Sequence, residues 1–298
     1  MVTAAASPAH TSVPAPIDPT ATLRFRSKDG TELYGEWFAA PSPRALALVV
    51  HGYAEHCGRY RELAAVLTAA GLSTFTFDVR GHGRSAGPRG HTLRFESYLE
   101  DVEAALAAAD GRAGAELPIL LVTHSHGGLI GMRLLADPWR CPARVKAAVL
   151  SSPFLRLRIK VSPVKRGAAR LLGALLPSFS LPNDLPIERL THDEAKLAAR
   201  RVDTLCHDVA GARWFNEAQA TQAWVREFAH RVQVPTLWLV AGEDHLVDPS
   251  ASKEICDRLG TPGRWNLLDG LYHEVFNESD RGRVSGILRT FVEEMFPS

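Results

Sequence analysis

The chain has 298 residues, enough for one large α/β domain with an insertion or for two small domains. Hydrophobic residues are 46% and charged residues 22%, and 34 Lys and Arg against 33 Asp and Glu leave +1, which argues against a nucleic-acid partner or a strongly charged substrate. No apolar run reaches the roughly 18 residues needed to span a bilayer, and Cys57, Cys141, Cys206 and Cys256 are scattered without CxxC spacing, as expected of free thiols in a reducing compartment.

Residues 1–20 are rich in Ala, Pro, Ser and Thr and lack the basic start and apolar stretch of a signal peptide. They read as a disordered tail, and the localisation expected is cytoplasmic, or peripheral to a membrane. Residues 22–26 and 31–38 alternate as strands around Lys28-Asp29-Gly30, a turn signal. Residues 45–50 are a continuous apolar run, the mark of a strand buried on both faces. A helix over 61–70 stopped by Gly71, a strand over 72–77 and an Ala-rich helix over 95–109 follow. Residues 119–122 and 145–150 are two more buried strands, separated by a helix. The rhythm breaks over 153–230, a helical and loop-like stretch with no convincing strand, and resumes with strands at 235–241 and 265–268 and helices at 250–259 and 281–295. This pattern predicts a mostly parallel, doubly wound, eight-stranded sheet, with a core of residues 21–152 and 231–298 and a helical cap of residues 153–230 inserted after the sixth strand.

The stretch from Pro118 to Gly131 carries the chemistry. Ser125 stands where a strand must become a helix within a tight turn, and Gly127 and Gly128 leave room for helix and strand to meet. The stretch resembles the Gly-x-Ser-x-Gly nucleophile elbow of the α/β-hydrolase fold, with Thr123 in place of the first glycine. On this motif alone, a polar strand-to-helix loop of another α/β protein also fits. A serine needs a base to take its proton, and the base needs a carboxylate to orient it. Asp244, just past the strand at 235–241, and His273, after the last strand, complete the order Ser…Asp…His of α/β-hydrolases. Asp248 and Asp269 are rival acids, and His245 adjoins Asp244 too closely to be oriented by it. The oxyanion needs two backbone donors, expected from His126 and from Tyr53 in the loop after the strand at 45–50.

That loop narrows the resemblance. His51-Gly-Tyr-Ala-Glu-His56 with Gly58-Arg59-Tyr60 is similar to the His-Gly-x-x-Glu-His…Arg-Tyr signature of monoacylglycerol lipases and bacterial lysophospholipases. Residues 77–87, Gly242 to Asp248, Tyr272-His-Glu274 and the stretch 172–181 match further regions of that family, whereas His126 departs from its common methionine. The resemblance implies a serine hydrolase that cleaves a lipid ester, a monoacylglycerol above all, with no cofactor and no metal. A lysophospholipid, a short-chain ester or an amide are alternative substrates, and a non-catalytic binding protein of the same fold is the alternative of another class. The acyl chain is expected along Leu171, Leu172, Leu175, Leu176 and Phe179, unless these form cap core. Glu55 and Arg59 are expected to contact the alcohol, unless they pair with each other or with Arg80 to brace the loop. The basic set Arg156, Arg158, Lys160, Lys165, Arg166 and Arg170 reads as a solvated face, or as a surface for transient contact with an anionic membrane. Asp78, Arg80 and His82 read as a network that fixes their loop, and His124 and His126 lack the carboxylate a metal site would need.

Overall fold

A computed structural model describes residues 13–158, 167, 171–173, 175, 176 and 178–297. Eight strands form one sheet: β1 (Ala21–Arg26), β2 (Glu32–Phe38), β3 (Ala45–Val50), β4 (Leu72–Asp78), β5 (Ile119–His124), β6 (Val145–Ser151), β9 (Thr236–Ala241) and β10 (Arg264–Leu268). Their order is β1-β2-β4-β3-β5-β6-β9-β10; the β1–β2 and β2–β4 pairs are antiparallel and the others parallel. This is the mostly parallel eight-stranded sheet that the strand–helix alternation predicts.

The period of two along each strand divides the interior into two layers. Leu46, Leu48 and Val50 of β3 join one apolar cluster, and Ala45, Ala47 and Val49 join the other. Helices α1 (Arg61–Ala69) and α7 (Arg281–Met295) cover the second layer with Leu63, Val66, Leu288 and Phe291. Helices α2 (Glu96–Ala113), α3 (His126–Leu135) and α6 (Pro249–Cys256) cover the first with Tyr98, Leu129 and Ile255. Each such side chain taken fully out of water contributes about 1.5–3 kcal/mol, which fixes the strand register and with it the loops at the strand ends.

Between β6 and β9, which are neighbours in the sheet, lies a segment with helices α4 (Glu194–Val202) and α5 (Ala212–Phe228). It also holds two strands that the sequence did not announce, β7 (Ser180–Pro182) and β8 (Val209–Gly211), paired antiparallel. Three residues are too few for a visible alternation, so pattern alone cannot reveal them. The N-terminal expectation needs correction too. Residues 1–12 lie outside the described residues, but Val13 packs against the second apolar cluster and the Asp18 carboxylate lies 3.1 Å from Arg61, so the last part of the expected tail lies on the body. All four cysteines are free thiols, and no helix among the described residues is long and apolar enough to cross a membrane.

Candidate active site

Ser125 joins β5 to α3 with φ +51° and ψ −113°, a left-handed conformation that costs a non-glycine residue about 1–3 kcal/mol. Ala54 (φ +62°) and Ser152 (φ +38°) flank the same region, so backbone strain gathers there. The turn is closed by contacts that only glycine permits. A Cβ at Gly127 would collide with the carbonyl oxygens of Val50 and His51, and one at Gly128 would lie 2.6 Å from Pro153 Cβ. Thr123, in place of the usual glycine, is accommodated by the absence of a side chain at Gly131. Its hydroxyl donates to Val149 O at 2.9 Å, and its methyl occupies the space of a Cβ at Gly131, which would lie only 2.7 Å away.

A hydrogen-bonded chain runs from Ser125 into the interior. His273 Nε2 is 2.9 Å from Ser125 Oγ, and His273 Nδ1 is 2.6 Å from Asp244 Oδ2. The other carboxylate oxygen of Asp244 accepts from the amides of Leu246 and Val247 at 2.8 and 2.9 Å. Burial opposes charge on both partners. Even so, His273 and the two amides hold the Asp244 pKa below its ordinary value, and the Asp244 carboxylate raises that of His273. Neither rival acid takes this place: Asp248 caps α6 and pairs with Arg156 at 2.9 Å, and His273 Nδ1 bonds Asp244, not Asp269.

Tyr53 and His126 both line the cavity at Ser125, and among the described residues neither backbone N–H donates to a protein acceptor. The loop of Tyr53 is braced by Glu55, which is buried and charged. Burial works against that charge, but Arg59 and neighbouring histidines lower its pKa to about 2. Glu55 accepts from Gly52 N at 2.6 Å, Tyr60 Oη at 2.7 Å and Arg59 Nη1 at 2.8 Å, and Arg59 forks onto Glu274 with two 2.7 Å bonds. Glu55 and Arg59 thus pair with each other and brace the loop. They border the cavity, but their polar atoms are spent on each other and on Glu274. Arg80 takes no part; it binds Asp29 and Asp101, and with Asp78 and His82 it forms the loop-fixing network expected.

Among the described residues, the leucines of the expected acyl channel do not line the cavities at Ser125. Leu171, Leu175 and Leu176 are more than half exposed, Leu172 and Phe179 are partly so, and none of the five borders the cavities at Ser125. Gly173 explains this outward turn. It packs against Ala212 O, where a Cβ would come within 2.9 Å, so that this stretch meets α5 through its glycine and leaves its leucines outside. Lys160, Lys165, Arg166 and Arg170 of the basic set lie outside the described residues. Arg156 pairs with Asp248, and Arg158 donates to Asp244 O at 2.6 Å.

Among the described residues, the space beside Ser125 includes a lobe of about 50 Å³ bordered by Glu55, Arg59, His273 and Glu274 and an apolar lobe of about 70 Å³. Phe154, Leu157, Leu185, Trp214, Leu246 and Val247 wall the apolar lobe. Leu246 and Val247 lie in the stretch Gly242 to Asp248 noted above, but no motif marks Phe154, Leu157, Leu185 or Trp214, which meet only through the fold. His56, Asp203 and Cys206 place potential metal ligands within 4.8 Å of one another. However, Gly58 N–H donates to His56 Nδ1, so the ring proton is on Nε2, where it donates to Asp203 at 2.7 Å and leaves no lone pair for a metal. His124 bonds Ser151 through Nδ1, and His126 bonds Trp214 through Nε2.

Residues 41–280 match the family model described as Serine aminopeptidase, S33. The chain is 31% identical over 258 residues to "Phospholipase YtpA" of Bacillus subtilis, covering 86% of this chain and 97% of that protein. It is 32% identical over 256 residues to "Monoacylglycerol lipase" of Mycolicibacterium smegmatis, covering 85% and 89% respectively. Among solved structures, the monoacylglycerol lipase of Paleococcus ferrophilus superposes with a TM-score of 0.78 at 28% identity, over 89% of this chain and 98% of that one.

Proposed function

We propose, starting from the premise that this chain belongs to the serine aminopeptidase S33 family of α/β-hydrolases and is a hydrolase of lipid esters, that it cleaves monoacylglycerol to free fatty acid and glycerol. Ser125 loses its proton to His273 Nε2 and attacks the ester carbonyl. The amides of Tyr53 and His126 hold the resulting oxyanion. His273 then protonates the departing glycerol, leaving an acyl-serine, and in the second half-reaction it takes a proton from water, which releases the acid. Asp244 keeps the proton on His273 Nδ1 and stabilises the imidazolium. Residues 153–230 act as the cap over this site. The observation that carries the reading is the unbroken chain from a strained serine through His273 to a buried carboxylate, beside an apolar lobe.

The exposed leucines at 171, 175 and 176 suit transient contact with the membrane or aggregate in which such substrates reside, and the free thiols suit the cytoplasm. A second reading, a short-chain carboxylesterase, draws on the small volume of the apolar lobe. Two measurements test the proposal. Ser125→Ala should abolish fluorophosphonate labelling, and hydrolysis of monoacylglycerols, lysophospholipids and p-nitrophenyl esters should rank long monoacylglycerols first. Labelling that survives in Ser125→Ala would put the nucleophile elsewhere. Acetate esters outrunning monoacylglycerols would establish the second reading.

A further inference from the structure

Trp214 belongs to α5, outside the sheet, yet it touches both residues whose amides flank Ser125. Its indole Nε1 lies 3.1 Å from His126 Nε2. An indole N–H only donates, so the ring proton of His126 is on Nδ1. The face of the same indole lies on the Tyr53 ring, with centroids 3.8 Å apart and planes at 21°. Tyr53 is also held at its far end: its hydroxyl donates to Gly90 O at 2.5 Å, and that carbonyl accepts from the amide of Gly211, the residue before α5, at 3.0 Å. Among the described residues His126 Nδ1 has no hydrogen-bond partner, and its ring stands edge-on to Tyr98 and Phe95 at 4.8 and 5.9 Å. The Trp214 bond is therefore the polar contact that sets the rotation of the His126 ring. A residue serving only as cavity wall would need neither this N–H nor the stack on Tyr53.

We infer that Trp214 is a positioning residue for ester hydrolysis: from α5 it holds Tyr53 and His126 so that their amides converge on one oxygen, and the oxyanion hole is complete only while α5 is seated. This role rests on the oxyanion hole proposed above. Substrate entry requires the walls of the small apolar lobe to part, so an open insertion would be accessible but slow, and reseating would restore the hole.

The test removes the N–H, once with loss of ring area and once with the shape kept. Trp214→Phe, and separately benzothienylalanine at position 214, an indole isostere without the donor, are compared with wild type. Outright loss of an oxyanion donor costs about 10²–10³ in kcat, so misplacing the pair should cost about 10- to 100-fold in kcat, with KM changed less than about twofold. An alkyl trifluoromethyl ketone adds Ser125 Oγ to its carbonyl carbon and carries a real oxyanion. It should weaken by the same factor as kcat, whereas a non-hydrolysable ether analogue of the substrate should bind unchanged. In a His126→Leu background the effect of losing the N–H should vanish. A raised KM with unchanged kcat, or equal weakening of ketone and ether, would reduce Trp214 to a wall and overturn the role. Ser125→Ala provides the control on the site itself. If that variant still forms the ketone adduct, the Ser125 site is wrong, a failure distinct from any result at position 214.

Discussion

At the scale of single residues, the orientation of His273 governs the chemistry. Its pKa is raised by Asp244 against the effect of burial, and only the neutral ring accepts the Ser125 proton. Activity should therefore rise with pH through a group titrating above the ordinary histidine value of about 6.5. Asp244→Asn removes the charge that raises it, so the acid limb should move to lower pH while kcat falls by about 10⁴. Asp248→Asn, which can keep the α6 cap and loses only a partly exposed ion pair, should leave kcat and the pH profile nearly intact. A pH–rate profile of the three proteins checks this. Thr123 offers a second residue-scale test. Because its methyl fills the space of a Cβ at position 131, Gly131→Ala should destabilise the wild type by about 1–3 kcal/mol through overpacking and cost much less in a Thr123→Gly background. Denaturant titrations of the four proteins in this cycle would measure the coupling. The roles proposed for Ser125, Asp244 and His273 were readable because each residue stands at a strand end and their order restricts the choice. The compensation of Thr123 by Gly131 was not, because a missing glycine does not say where room is made.

At the scale of elements, the sheet was legible and the walls of the site were not. A buried strand such as β3 states its burial in every residue, whereas an apolar stripe reads the same whether it faces a cavity or water. That ambiguity sent the expected acyl channel to Leu171, Leu175 and Leu176, and Gly173 decided the outcome by a contact 39 residues away in sequence, with Ala212. Leu185 and Leu246 come together at Ser125 from opposite sides of α5 in the chain, a proximity no local pattern encodes. Each buried CH₂ is worth about 0.8 kcal/mol, so a chain bound against these walls should raise kcat/KM several-fold per added methylene until diffusion limits it. Leu185→Asp should flatten that dependence for dispersed p-nitrophenyl esters, whereas Leu175→Asp should leave it unchanged. Rates on a series of chain lengths distinguish the two, and flattening by Leu175→Asp would restore the channel to the outer leucines.

At the scale of the molecule, α5 belongs to two structures at once. Trp214, Ala218 and Val225 are part of the apolar layer that also contains β3, β5 and α2, so the insertion is not a separate body resting on the sheet. The sequence showed where the strand–helix rhythm stopped and resumed but not this shared interior, because the rhythm records only neighbours in the chain.

The placement of β6 beside β9 has a consequence for how such a chain can change over generations. β6 and β9 run parallel, with Ala148 opposite Thr236 and Ser151 opposite Leu239, so the intervening segment leaves at the C-terminal end of β6 and must cross back to the N-terminal end of β9. Such a crossover needs a dozen or more residues, but lengthening it beyond that is entropically cheap, about 0.6 kcal/mol per doubling, and growth from roughly twenty residues to eighty would cost only about 1.2 kcal/mol. Lineages can thus rewrite that segment freely as far as closure is concerned, and the restriction comes from Trp214. Evolution at this junction would then be limited by what the new segment presents to Tyr53 and His126, and hardly at all by its length.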